Sequence, residues 1–515
     1  MSASSQQEIY DVAIVGFGPS GAIAAGLLGK KGIRTFVCDK LGEVYDKPRA
    51  IALDHEILRV FQQMGLTEKI KPFIEPFTDS VYYGVDGQVI KRMSTVATPY
   101  PLAHNPSVVF TQPPVEKILR EYAQSHESVS VELGATLSAI EQDANSTTLS
   151  LRHGDGRSTK VTAKYAIGCD GASSSLRGFV GIELEDLGFD EPWLVIDVLV
   201  NERGLAKLPK TSVQYCNPKR PSTYVIGPGN HRRWEISINE GEDPAELTTP
   251  KGTWSLLAPW LNEEEGTLWR QASYRFHALV AKQWRVGRVF LAGDCAHQQP
   301  PFLGQGMCQG VRDVVSLCWR LEAVLKGEAK DTLLDSYGAE RKAHVMELTT
   351  RIKGIGKIIT ERDVEKARGR DAKLLADCGG VVSPTPRQDV QPALSAGLLG
   401  SIQHPARGTI FPQPLIKGAG GESVRMDEVH PAGWMVVLSE NADDAFIQSC
   451  KNHHLPILKS LKLATPELAE LEGVLRHWFD RHGAQAAIVR PDHYIFGVCK
   501  TPQDLSLQLD ELRLA

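Results

Sequence analysis

Glycine and acid come together three times in this chain, each time where a strand gives way to a helix. The first cluster is Gly16-Phe17-Gly18-Pro19-Ser20-Gly21, between the apolar strand Asp11 to Val15 and the alanine-rich helix Ala22 to Lys30. A second strand, Arg34 to Cys38, ends at Asp39-Lys40. In a βαβ unit this G-x-G-x-x-G spacing cradles a pyrophosphate. The first glycine permits the tight turn, the second lets the backbone approach the ligand, and the third lets the helix close on the strand. The helix N-terminus offers unpaired N–H groups to the phosphates, and a carboxylate at Asp39 can bind a ribose diol. The second cluster is Asp170-Gly171-x-x-Ser174-x-x-Arg177, after the strand Tyr165 to Gly168. An acid at a strand's end points into the crevice of a parallel sheet, so this reads as a second contact to the same ligand. The third is Gly293-Asp294 in RVFLAGDCAHQQPPFLGQGM. There a strand enters a loop with two prolines and starts a helix near Gly304 on Gly-Gln-Gly, as if something flat and negatively charged lay against the turn.

These clusters need elements to hold them. KPRAIALDHEILRVFQQMGL reads as a loop carrying Arg49 into an amphipathic helix, and residues 81 to 91 read as a hairpin around Asp-Gly. From 187 to 285 strand-like stretches recur with Trp and Tyr, as in PWLVIDVLV, STYVIGPG and HRRWEISIN. This predicts an antiparallel, aromatic-lined sheet suited to a flat apolar substrate. A long helical region then runs to about 375, and residues 376 to 404, rich in Gly, Pro and Ser, read as a linker. Strands near GWMVVLS and AAIVRPDHYIFGVC predict a small α/β unit over 405–515. The expected domains are 8–186 with 286–375, an inserted 187–285, and 405–515.

The chain has 515 residues, 42% of them hydrophobic and 23% charged, with a formal net charge of −5. That composition is soluble and globular, without the basic run that marks a nucleic-acid binder. The opening MSASSQQEIYD lacks a signal-peptide pattern, and no apolar stretch approaches the roughly 20 residues of a membrane helix. The expectation is a cytoplasmic enzyme with neither nucleic acid nor membrane as partner. The nine cysteines are scattered without a Cys-x-x-Cys pair, which argues against a disulfide framework and against a metal site.

The order and spacing of the three clusters resemble the single-component flavoprotein aromatic hydroxylases of the para-hydroxybenzoate hydroxylase fold, over nearly the whole chain. WLVIDVLV, VQYCNPKRPSTYV, HRRWEISI and PPFLGQGMCQGVRD are most similar to the 3-(3-hydroxyphenyl)propionate hydroxylase branch. The resemblance implies an α/β fold: a Rossmann-like FAD-binding domain, an interwoven antiparallel substrate domain and a thioredoxin-like C-terminal domain. It implies FAD held by Gly16, Gly18, Ser20, Gly21, Asp39, Lys40, Arg49, Gln112, Asp170, Gly293, Asp294, Pro301, Gly304, Gly306 and Met307. Gln112 falls at the family's Gln-Pro near the ribityl chain. NADH or NADPH is implied as a transient co-substrate, consistent with the absence of a second G-x-G-x-x-G. The implied reaction hydroxylates a monocyclic phenolic acid with O2 through a C4a-hydroperoxyflavin. Pro301, His297 and Arg49 are the candidate catalytic residues, although a loop histidine beside a cofactor more often serves as scaffold. Tyr215, Tyr224, Arg232 and His277 are the candidate substrate contacts, with His231 beside them; the substrate-deprotonating base is not named. A homodimer is left open. A same-fold enzyme for a larger polycyclic or heteroaromatic substrate and a FAD-binding interaction protein without turnover are the competing readings.

Overall fold

The computed structural model describes residues 9–453 and 458–514. Residues 1–8, 454–457 and 515 lie outside them, and with them most of the polar opening stretch and the expected boundaries at 8 and 515.

The first sheet is parallel at its centre. Strand β1 (Tyr10–Val15) lies between β2 (Thr35–Asp39) and the strand Ser158–Gly168, which in turn pairs with Val289–Leu291. Its strands read as continuous apolar runs because helices cover both faces. Helix α1 (Pro19–Lys30) packs on α2 (Gln112–Gln124) and on α3 (Gly306–Leu325). Two glycines make the first turn possible. Gly16 has φ +101°, and a Cβ there would sit 2.3 Å from the Cys169 carbonyl oxygen. A Cβ on Gly21 would sit 1.9 Å from the Gly16 oxygen, so the helix can close on the strand only without one.

The second sheet gathers strands from far along the chain. Its order is His297–Gln298, β9 (Gly266–Ala281), β5 (Leu184–Val200), β8 (His231–Ser237), β7 (Ser222–Ile226), β6 (Ser212–Tyr215), β3 (Ser80–Tyr83), β4 (Val89–Ser94) and β10 (Pro384–Pro386). This redraws two of the expected boundaries. Residues 80–94 join this sheet and not the first, and the expected linker supplies its last strand. Prolines at both ends of β10 are compatible with an edge position, where no donor is missed.

Side chains alternate across this sheet. On the outer face Tyr224, Trp234, Ile236, Leu194 and Ile196 pack beneath Leu257 and Leu261, at the end of the helix Pro250–Leu257 and just beyond it. Each fully buried apolar side chain of that size contributes roughly 1.5–3 kcal/mol. The inner face meets the first domain and is polar: Gln214, Thr223, Arg233, Glu235, Asp197 and Arg270.

The C-terminal unit has β11 (Trp434–Leu438), β12 (Leu458–Lys462), β13 (Ala486–Val489) and β14 (Ile495–Cys499) in the order β12-β11-β13-β14. β11 and β12 are parallel and the other pairs antiparallel, the thioredoxin-like arrangement. It docks on α3 and on α4 (Asp335–Thr360) through buried charge. Glu340 bonds Arg320 at 2.9 Å and Arg490 at 2.6 Å, and Arg490 bonds Asp492 at 2.6 Å.

Candidate active site

The first cradle is built as its residue types require. Gly18 caps α1 without a side-chain hydrogen bond, and nothing lies within 4 Å of where its Cβ would be. The helix N–H groups therefore face open space. The Ser20 hydroxyl is wedged where Gly293 and Gly310 leave room: a Cβ on either would lie 2.9 or 2.5 Å from it. Asp39 accepts from Phe17 N at 2.6 Å and from Leu41 N at 2.7 Å, bracing the turn while staying partly accessible. Lys40 is exposed.

The loop at Arg49 is clamped from below. Gln112 Oε1 accepts from Arg49 N at 3.0 Å and Ala50 N at 2.6 Å, while its amide nitrogen donates to Glu116 at 3.0 Å. Gln112 thus positions the loop. The Arg49 guanidinium is half exposed and lies 3.6 Å from Glu116. From the sheet side, Arg233 donates to the Arg49 carbonyl at 2.8 Å and Arg270 to the Pro48 carbonyl at 2.6 Å. Asp170 accepts from Ser174 Oγ at 2.5 Å and Leu176 N at 3.1 Å. Arg177 ties this turn to the third cluster by donating to the Cys295 carbonyl at 2.8 Å.

At the third cluster Gly293 N donates to Asp313 at 2.9 Å. The Asp294 carboxylate has no hydrogen-bond partner among the described residues and opens into the crevice. Desolvation by the surrounding protein pushes its pKa up, against the opposing pull of His297 and Arg49. The helix starts at Gly306, two residues later than the sequence suggests, because Gly304 N closes a turn on the Pro301 carbonyl at 2.7 Å. Its N-terminus has no side-chain cap, and the space over Gly306 is open. Met307 and Pro301 are partly buried beside it. Two uncapped helix N-termini and an unpartnered carboxylate fit FAD, whose pyrophosphate and flavin ring take N–H donors and whose ribityl chain offers hydroxyls.

His297 does not fit the catalytic role. It is 1% exposed, Nε2 bonds Asp313 at 2.7 Å, and the ring stacks on Trp284. With Arg341, which donates to Asp313 at 2.9 Å, it fixes the base of the turn.

The four expected substrate contacts also need correcting, for one shared reason. Tyr215 pairs with Ser222, and Tyr224 with Trp234, which puts both tyrosines on the outer face. Tyr224 is 0% exposed in the core there. Tyr215 lines a separate outer cavity of about 930 Å³ with Tyr83 and Trp260. Arg232 donates to the carbonyls of Gly227, Gly229 and His231, locking the hairpin turn. His277 is paired with Asp190 at 3.5 Å. His231 does lie on the inner face, bonded to Asp197 at 2.7 Å.

The inner-face residues one position away are the ones sequence reasoning missed. Thr223 donates to Gln214 Oε1 at 2.6 Å, and Arg233 and Asp197 form a paired fork. Glu235 is 6% exposed, and among the described residues no hydrogen bond or ion pair holds it. Arg387, on the expected linker, donates to the Leu303 carbonyl at 2.9 Å and to Ser80.

A family model described as an FAD binding domain matches residues 9–352, and one described as the HcaD C-terminal domain matches 408–515. The chain is 35% identical over 528 residues to a probable NADH-specific resorcinol 4-hydroxylase of Rhodococcus jostii (strain RHA1), covering 99% of this chain and 97% of that one. It is 29% identical over 509 residues to a 3-(3-hydroxy-phenyl)propionate/3-hydroxycinnamic acid hydroxylase of Burkholderia cenocepacia (strain HI2424), covering 94% and 93%. Among solved structures the fold matches the flavin-dependent monooxygenase PieE at TM-score 0.81 and 19% identity, covering 98% of both chains. It matches aklavinone-11 hydroxylase at 0.79 and 21%, covering 98% of this chain and 100% of that one.

Proposed function

Because the chain belongs to the family built on this FAD binding domain, we propose that it is an NADH-dependent flavin monooxygenase of a meta-substituted monocyclic phenol. The observation that carries the reading is the convergence of both uncapped helix N-termini with Asp294, where Ser20 packs against Gly293 and Gly310 and Arg49 lies near the carboxylate. Bound FAD supplies the redox and oxygen chemistry. The chain's own part is to hold the cofactor and shield it. Gly16, Gly18, Ser20 and Gly21 would take the pyrophosphate, Asp39 the ribose and Asp294 a ribityl hydroxyl. The N-terminus of α3 favours negative charge on a ring above it by about 0.3–2 kcal/mol. Pro301 and Phe302 close one side, with Phe302 packed edge-on against Trp193 at 5.7 Å and Phe189 at 5.8 Å, which keeps water out.

Both relatives, by name, act on phenols with a second substituent meta to the hydroxyl. We favour an uncharged, resorcinol-like phenol, because the inner-face arginines are spent on protein partners. Arg233 holds Asp197 and the Pro48 and Arg49 carbonyls, Arg270 holds Pro48 and Tyr274, and Arg387 holds Leu303 and Ser80. A phenol bearing a carboxylate is the second reading, favoured by the 3-(3-hydroxy-phenyl)propionate/3-hydroxycinnamic acid hydroxylase relative. The test is NADH and O2 consumption by the purified yellow protein with resorcinol and with 3-(3-hydroxyphenyl)propionate, followed by product mass. One phenol should speed NADH oxidation and gain one oxygen atom. NADH consumption without hydroxylated product from either would overturn the monocyclic assignment in favour of polycyclic substrates. Protein without flavin would overturn the whole reading.

A further inference from the structure

Among the described residues, Glu235 is a buried carboxylate on the inner sheet face with no hydrogen-bond or ion-pair partner. Register fixes where it points. It shares the inner face with Arg233, two residues earlier, and lies in one lateral row with Thr223 on β7 and Val195 on β5. On one side of that row Arg233, Asp197 and Arg270 grip the Pro48–Arg49 loop. On the other side Trp193 packs on Phe302 of the Pro301 loop. The row therefore spans the gap between the two loops that frame the proposed flavin crevice. The 6% of Glu235 that stays accessible includes its carboxylate oxygens, which are absent from the sealed polar atoms. A buried carboxylate facing space, with no donor of its own, is a costly arrangement unless a ligand supplies the donor.

We propose that Glu235 accepts the hydrogen bond of the substrate's phenolic hydroxyl and takes its proton during hydroxylation. This rests on the hydroxylase reading above. The O–H bond breaks as an Oε–H bond forms, and its electron pair stays on the phenol oxygen and raises the nucleophilicity of the ring. The ring carbon that gains oxygen passes through a dienone. When that carbon releases its hydrogen as a proton to solvent and the ring becomes aromatic again, the Glu235 proton returns to the original oxygen. NADH, O2 and FAD supply the oxidation, as in the parent reaction. Burial raises the Glu235 pKa to about 7, with Arg233 and Arg270 opposing and Asp197 adding to the shift. The other titratable groups on this face are His231, which is bonded to Asp197, Tyr274, Tyr82 and, at its far end, Lys91. A base with that value works near neutral pH.

The experiment compares wild type with Glu235→Gln and Glu235→Asp, each loaded with FAD, using resorcinol and its dimethyl ether, which has no hydroxyl to donate. Wild type should bind resorcinol with partial proton release at pH 6 and none at pH 8.5, measured by calorimetry in buffers of different ionisation heat. The dimethyl ether should bind without proton release. E235Q should bind with no proton release at either pH and lose hydroxylation by roughly 10²–10⁴-fold. Its rate should also lose the rising limb near pH 7. E235D should keep that limb at a reduced rate. The proposal is overturned if wild type releases no proton at pH 6, or if E235Q keeps both rate and limb. The wild-type calorimetry decides even where a variant does not fold. A wild type that holds FAD and hydroxylates neither test phenol sinks the parent reading instead, whatever Glu235 does.

Discussion

Two buried glutamates, Glu340 at 1% exposure and Glu235 at 6%, stand in opposite circumstances. Glu340 sits where the C-terminal domain docks and is bonded by Arg320, Arg490 and the Ser316 hydroxyl. These partners outweigh desolvation and hold its pKa below the ordinary range. Glu235 has two arginines nearby but no bond to either, and its pKa is pushed up to about 7. The same side chain is mortar in one place and an open valence in the other. The dock is complete without any ligand; the sheet face is not.

The comparison can be broken at its strongest point first. Arg490→Ala leaves Glu340 and Asp492 short of their shared partner, and removing one side of a buried pair costs about 3–5 kcal/mol. Thermal unfolding should show a drop of that size, with the C-terminal domain becoming protease-sensitive first. The second test uses the sign of the pH dependence. A carboxyl whose folded pKa is raised stabilises the fold below its unfolded value, and that benefit disappears as pH climbs through the folded value. For Glu235 the window runs from the ordinary 4.5 to about 7 and is worth about 3 kcal/mol. Flavin-free wild type should lose that much stability relative to Glu235→Gln between pH 4.5 and 8, read by denaturant unfolding. Glu340, with its pKa lowered, works the other way: its contribution is present at neutral pH and fades on acidification. Third, Asp294→Ala should weaken FAD binding by about 1.5–3 kcal/mol, the scale of a hydrogen bond to a charged group, with the fold's stability unchanged. The smallest expected effects separate the two faces of the sheet. Thr223→Val removes the donor to Gln214 on the inner face and should raise the KM for the phenol several-fold. Tyr224→Phe removes a 3.4 Å bond to the Pro209 carbonyl and a contact with Arg232, both away from the inner face, and should leave kinetics unchanged.

The glycine turns were legible because they depend on local geometry. Gly16 needs φ +101° and Gly21 must clear the Gly16 oxygen, both within the motif itself; the crowding of Gly16 by Cys169 and Asp170 comes only with the fold. The sheet's parity was not. HRRWEISIN alternates cleanly, but the sequence does not say which of Arg232 and Arg233 looks inward. The usual guess, that aromatics line the pocket, fails because the helix Pro250–Leu257 covers the aromatic face. With that helix on the aromatic face, the alternation turns Arg233 and Glu235 toward the first domain. His297 misled for another reason: its partners, Asp313 and Trp284, lie on elements that only the fold brings together. The β10 strand, with two prolines, carried no strand signal at all; its pairing with β4 is wholly tertiary.

That late strand has a consequence for how the molecule is made on the ribosome. β4 is synthesised by residue 94, yet the strand that covers its edge arrives at residue 384. At about 5–20 residues per second, some 290 residues of further translation leave that edge uncovered for about 15–60 s. During this interval the nascent chain carries an open sheet margin, a natural station for a chaperone and a place where slower growth would favour soluble yield.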